Sequence, residues 1–265
     1  MDGGPADVWA QGDAYERYMG RWSRRVAEVF VARLGVPAGL RWLDVGCGTG
    51  ALTAVVAARC GPRAVVGLDR SPGFLRTARA AAPAPARFAI ADASALPVRD
   101  ASFDTVVSGL ALNFLESPST AVAEAARVVR PGGLVAAYVW DYAGGMALLS
   151  HFWTAAAAVD PAAAALDEGR RFPLCRPGPL HALWTGAGLA DVTVAPVEVP
   201  TVFGRFEDVW EPFLSGQGPA PGYVARLNPA ARDRLRTRLA AALPTGPDGS
   251  VSLTARAWTV RGRRP

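Results

Sequence analysis

One stretch constrains the fold of this chain more than any other: Trp42-Leu43-Asp44-Val45-Gly46-Cys47-Gly48-Thr49-Gly50. An apolar run leads into an acid, glycine follows at every second position, and a helical pattern opens at Ala51, Leu52 and Thr53. A short apolar run bounded by glycine reads as a buried strand. Glycines after it permit a tight turn and a close backbone approach that side chains would obstruct. The sequence therefore predicts a strand, a glycine turn and a helix N-terminus, where a ligand lies against bare backbone near a positive helix end. Asp44, inside that turn, disfavours an anion and suits a ligand carrying an ammonium group.

The pattern continues. The run Ala64 to Leu68 ends at Asp69, and Ser71-Pro72 then reads as an N-cap and first helical residue. Phe74, Leu75 and Ala78 mark the buried face of that helix. A third run, Arg87 to Ile90, ends in Ala91-Asp92-Ala93, and a fourth spans Phe103 to Ser108. A helix through Ala121 to Val129 passes by Arg130-Pro131-Gly132-Gly133 into a fifth run, Leu134 to Trp140. Strands alternating with helices predict an α/β fold, doubly wound around a mostly parallel sheet. Such sheets bind ligands at the carboxyl ends of their strands, where Asp44, Asp69 and Asp92 fall. A carboxylate ending the second strand can accept from both hydroxyls of a ribose. The spacing Gly46-x-Gly48-x-Gly50 departs from the G-x-G-x-x-G of dinucleotide sites, which argues against a nicotinamide oxidoreductase.

Taken together, these motifs resemble the Rossmann-like (class I) S-adenosylmethionine-dependent methyltransferases, in particular the small-molecule enzymes of the type 11 kind. The resemblance covers roughly Tyr15 to Tyr142. It implies seven strands, mostly parallel with the last antiparallel, and a helical cap or lid. It implies S-adenosylmethionine as cofactor, leaving as S-adenosylhomocysteine. Asp44, Gly46, Cys47, Gly48 and Gly50 would form the cofactor loop. Asp69, with Arg70 beside it, would hold the ribose. Asp92 would accept from the adenine amine while the backbone N–H of Ala93 donates to the ring, and Ser108 and Leu110 would follow the fourth strand. In the segment Tyr15 to Trp22, Tyr18 and Arg21 would hold the methionine carboxylate. Asp104 is expected to shape the start of its strand.

Residues 1–40 are expected to be an N-terminal helical cap and 41–145 the cofactor core. Residues 146–265 would complete a single domain, with a helical lid inserted at about 204–245 between the last two strands. A helix is expected from Gly145 to Val159, a loop from Arg170 to Pro179, a short helix from Pro179 to Gly188, and strands at Val192 to Val202 and Leu253 to Val260. A dedicated base would lie near the ends of strands four and five, which points to Asp141, Tyr142 and His151. Many relatives carry histidine after strand four, whereas Asn113 here cannot act as a base. An alternative keeps the cofactor but drops methyl transfer, giving a cyclase or accessory role.

Composition limits the partners. All 28 basic residues are arginine, so Schiff-base and P-loop lysine chemistry is excluded. Arg232, Arg234, Arg236 and Arg238 spread round a helix rather than forming one stripe, and no Asn/Asp-Pro-Pro-aromatic step follows strand four. No nucleic-acid partner is expected, but a small-molecule acceptor is. Three widely spaced cysteines give neither a disulfide framework nor a zinc pattern, so no metal is expected and a reducing cytoplasm is. No run approaches the ~20 apolar residues of a membrane span.

Overall fold

A computed structural model describes residues 20–216 and 218–265, apart from the side chain of Arg21. The chain divides into two compact units. The sheet unit comprises Ser23–Trp140, Leu174–Val197 and Ala257–Pro265. The helical unit comprises Asp141–Pro173, Glu198–Arg256 and the described end of Met1–Trp22.

After helix α1 (Arg21–Leu34) come β1 (Arg41–Val45), α2 (Ala51–Arg59), β2 (Ala64–Asp69), α3 (Pro72–Ala81) and β3 (Ala86–Ile90). Next are β4 (Phe103–Gly109), a tight helical turn at Leu112–Phe114, α4 (Pro118–Val128) and β5 (Val129–Trp140). The sheet order is β3-β2-β1-β4-β5-β7-β6, with β6 at Ala190–Phe203 and β7 at Val251–Arg263. Strands β1 to β5 pair in parallel, whereas β7 runs antiparallel to β5, with Leu134 opposite Arg263 and Trp140 opposite Ala257. This is the seven-stranded arrangement that the motifs imply.

The central strands read as continuous apolar runs because both faces are covered. In β1, Trp42 through Val45 are all buried, Asp44 among them. Helix α3 starts as its sequence predicts: Ser71 is the N-cap, its Oγ accepts from the Phe74 N–H, and Pro72 follows. In the sheet unit, α7 (Pro177–Gly186) lays Trp184 against β5, where its indole N–H donates to the Val135 carbonyl at 3.0 Å. That helix starts two residues before the expected Pro179, since proline is tolerated throughout a first helical turn. Gly188, at φ +77°, closes it in the left-handed conformation.

The helical unit contains α5 (Ala147–Val159), the single turn α6 (Glu168–Arg171), and then α8 (Phe206–Trp210), α9 (Pro219–Arg226) and α10 (Pro229–Ala242). Its core is aromatic. Phe152 stacks on Phe213 at 4.4 Å, and Trp153 meets both Phe152 and Tyr223. The expected loop from Arg170 begins instead as the end of α6, whose first turn is capped by Asp167 accepting from Gly169. Among the described residues no helix is long and apolar enough to cross a membrane.

Candidate cofactor site

The glycine turn is fixed from below and open above. The Leu68 carbonyl accepts from both the Gly46 and Cys47 N–H groups, at 2.8 and 3.0 Å, which joins the turn to β2. Gly46, Gly48 and Gly50 all have positive φ, at 72°, 53° and 85°. Their surroundings differ. A Cβ on Gly46 would come within 2.6 Å of the Ala111 Cβ, so glycine there lets the segment after β4 pack against the turn. A Cβ on Gly48 would meet nothing within 4 Å, so the backbone there is bare and accessible.

Asp44 lies beneath this turn and is fully buried. Thr53, on α2, donates its hydroxyl to Oδ2 at 2.6 Å, and Oδ1 has no hydrogen-bond partner. Burial pushes the carboxyl up to about 7; the Thr53 hydroxyl opposes that rise and the Asp69 charge adds to it. A cation that reached Oδ1 would satisfy the orphan oxygen and draw the group back to its ionised form.

Asp69 spans two turns. Its Oδ2 accepts the Gly48 N–H at 2.9 Å and its Oδ1 accepts the Ser71 N–H at 2.8 Å. A carboxylate has about four acceptor positions, so these bonds orient the group without exhausting it. Beside it, exposed Arg70 pairs with Glu116 at 3.3 Å. At the end of β3, Asp92 Oδ1 accepts the Ser94 N–H at 2.7 Å and the Ala95 N–H returns to the Asp92 carbonyl at 3.2 Å, closing a tight turn around Ala93.

The end of β4 is strained and polar. Leu110 has φ +59° without being glycine, and its N–H donates to the Tyr138 carbonyl at 2.8 Å. Strain of this kind concentrates at ligand sites. The hydroxyl of Ser108 and the amide nitrogen of Asn113 are both buried without partners. Asp104, at the opposite end of β4, accepts from the Arg41 N–H at 2.8 Å and Arg130 Nε at 2.7 Å, which anchors the strand's start.

The sheet unit thus brings together Asp44, the three glycines, Cys47, Asp69, Asp92, Ala93, Ser108 and Leu110 at successive carboxyl strand ends. Tyr18 lies outside the described residues, and Arg21 is described only as the first residue of α1. The three candidate bases belong to the helical unit. There Asp141 is buried and its Oδ2 receives both Nε and Nη2 of Arg256, at 2.7 and 2.6 Å. The Asp141 N–H donates to the Arg256 carbonyl and its own carbonyl receives the N–H groups of Gly145 and Met146. Tyr142 packs on Phe172 at 5.5 Å, and His151 is half-buried on α5. The buried acid that the sequence did not reveal is Glu168: it accepts from Trp153 Nε1, and burial pushes it up to about 7. Thr53, the partner of Asp44, was missed too; its only signal is a hydroxyl on the apolar face of α2.

Comparison with known proteins agrees with this geometry. The family described as Methyltransferase domain matches residues 43–137. Trans-aconitate 2-methyltransferase of Methylobacterium radiotolerans is 35% identical over 155 residues, 58% of this chain and 57% of that relative. Malonyl-[acyl-carrier protein] O-methyltransferase of Hahella chejuensis is 41% identical over 106 residues, 40% of this chain and 37% of the relative. The chain therefore spans about half or less of the length of these curated relatives. Phosphoethanolamine N-methyltransferase 2 of Haemonchus contortus, solved with S-adenosyl-L-methionine, superposes with a TM-score of 0.60 at 20% identity, covering 96% of this chain and 56% of that one; this is a likeness of fold. Residues 43–137 therefore match the methyltransferase domain family, and the sheet order and glycine turn built around them are those of a Rossmann-like methyltransferase fold.

Proposed function

We propose that this protein binds S-adenosylmethionine along the carboxyl ends of β1 to β4 and transfers its methyl group to a small-molecule acceptor. The observation that carries this reading is the bare backbone of Gly48, with the Asp69 carboxylate one hydrogen bond away and the buried, half-satisfied Asp44 beneath. Asp44 and the turn from Gly46 to Gly50 would hold the cationic methionine end. Asp69 would take the ribose, and Asp92 with Ala93 the adenine. When bound, the cofactor supplies an activated methyl carbon, and the protein supplies geometry and exclusion of water.

Asp141 is assigned a positioning role, because its Oδ2 is held in an ion pair with Arg256. Methyl transfer without a dedicated base suits an acceptor that is already ionised. A relative named for trans-aconitate supports an acidic small molecule of that kind, and one named for malonyl-[acyl-carrier protein] supports an acidic acceptor group. The test is incubation with S-adenosylmethionine and a panel of carboxylic acids, phenols and amines. The expected result is a methylated acid with matching release of S-adenosylhomocysteine. An isomer of unchanged mass, formed without that release, would replace this reading with the non-methylating alternative.

A further inference from the structure

We infer that Arg127 and Glu124 are positioning residues for the Asp92–Ala95 turn, and through it for recognition of the adenine base; this rests on the cofactor reading above. Arg127, near the end of α4, uses all five of its N–H donors. Nε and Nη2 grip the two oxygens of Glu124 at 2.6 and 2.7 Å. Nη2 also reaches the Leu96 carbonyl at 3.1 Å, and Nη1 reaches the Val98 carbonyl at 3.0 Å and Asp100 Oδ1 at 2.6 Å. Glu124 in turn accepts the Leu96 N–H at 2.8 Å. The backbone of Leu96 is therefore held at both its N–H and its carbonyl by one ion pair on α4. Leu96 directly follows the turn that Asp92 and Ala95 close, and its side chain is buried. The segment from Leu96 to Asp100 hangs from a single guanidinium, and the base-reading turn is its upstream end.

A fork of five donors cannot be replaced by a point charge. Loss of Arg127 should release the turn and blur the choice of base, beyond any general loss of stability. A second ion network among the described residues of this unit provides a control. Asp104, with Arg41 and Arg130, lies at the opposite end of β4 and has no bond to the Asp92–Ala95 turn.

The experiment measures calorimetric affinities for S-adenosylhomocysteine and S-inosylhomocysteine, which differ at the exocyclic group of the base and at the ring nitrogen beside it, an acceptor in adenine and an N–H donor in hypoxanthine. The proteins are wild type, Arg127→Lys, Glu124→Gln and Asp104→Asn, with thermal melts recorded alongside. Wild type should prefer the adenine form by ~10²-fold, the scale of a lost hydrogen bond to a charged acceptor. Arg127→Lys and Glu124→Gln should reduce that preference by about tenfold or more, mostly through weaker adenine binding, while Asp104→Asn keeps it. Should Arg127→Lys not fold, the near-isosteric Glu124→Gln decides. Undiminished preference in the folded variants overturns the inference and leaves the cofactor reading intact. An equal loss in Asp104→Asn also overturns it, by showing general loosening. No binding of S-adenosylhomocysteine by wild type removes the cofactor reading, and the inference with it.

Discussion

Single side chains separate folding from binding in this protein, and the glycine turn is where they do so. Gly46→Ala places a methyl 2.6 Å from the Ala111 Cβ and should lower the melting temperature. The Cβ of Gly48→Val meets nothing within 4 Å, so its cost to folding is chiefly the left-handed backbone, ~1–2 kcal/mol, while cofactor affinity should be lost. A folded Gly48→Val variant that binds normally would place the cofactor elsewhere. Asp69→Ala should weaken binding by roughly 1.5–3 kcal/mol, and it also frees the Gly48 and Ser71 N–H groups that the carboxylate holds. Asp69→Asn can keep one of those bonds and should fall between; equal affinity in all three proteins would show that the ribose is held by other groups. The acids themselves were legible in the sequence because each ends an apolar run. Their partners were not. Asp141 reads as a candidate base from its place after β5; that its Oδ2 pairs with Arg256, 115 residues away, could not be read, because no local pattern links residues so far apart. Asp141→Asn should therefore lower stability and raise the Michaelis constant, with turnover falling less than ~10-fold. A fall above ~10²-fold in turnover alone would make Asp141 a base after all.

At the scale of elements, strand and helix positions in the sheet unit followed from periodicity, because parallel strands buried on both faces and capped helices leave clear local signals. The boundaries of α6 and α7 did not, since prolines and glycines there are compatible with either a loop or a first helical turn. Burial of charge was likewise hidden. Asp44 in β1 and Glu168 in α6 are both pushed up to about 7, chiefly by burial. Each binds more protons folded than unfolded between its ordinary value, near 4, and 7. Stability is therefore greatest at the acid side of that window and declines as pH rises through it. Asp104 and Glu124, held below their ordinary values, lose their contribution only at lower pH and leave the window clear. The melting temperature of the cofactor-free protein should fall between pH 5 and pH 8, reflecting on the order of a few kcal/mol from the two acids. Asp44→Asn and Glu168→Gln should each flatten the fall; a melting temperature that rises across this window would refute it.

For the whole molecule, the family of residues 43–137 was legible in the motifs, and the resemblance they carry implied a seven-stranded sheet with its last strand antiparallel. The ring pairings in the aromatic core of the helical unit were not, because they join α5 to the turn at Glu211–Ser215 and to α9 across long separations in sequence. The acceptor is the least legible feature, since the residues facing it need carry no pattern of their own. The cofactor is the central claim, and it rests on an acid under a three-glycine turn rather than on a pyrophosphate loop. Calorimetric titration of the full chain with S-adenosylhomocysteine and, separately, with the oxidised and reduced nicotinamide dinucleotides tests it most directly. Saturable binding of S-adenosylhomocysteine with no dinucleotide binding is the predicted result. Binding of a nicotinamide dinucleotide, with none of S-adenosylhomocysteine, would contradict it.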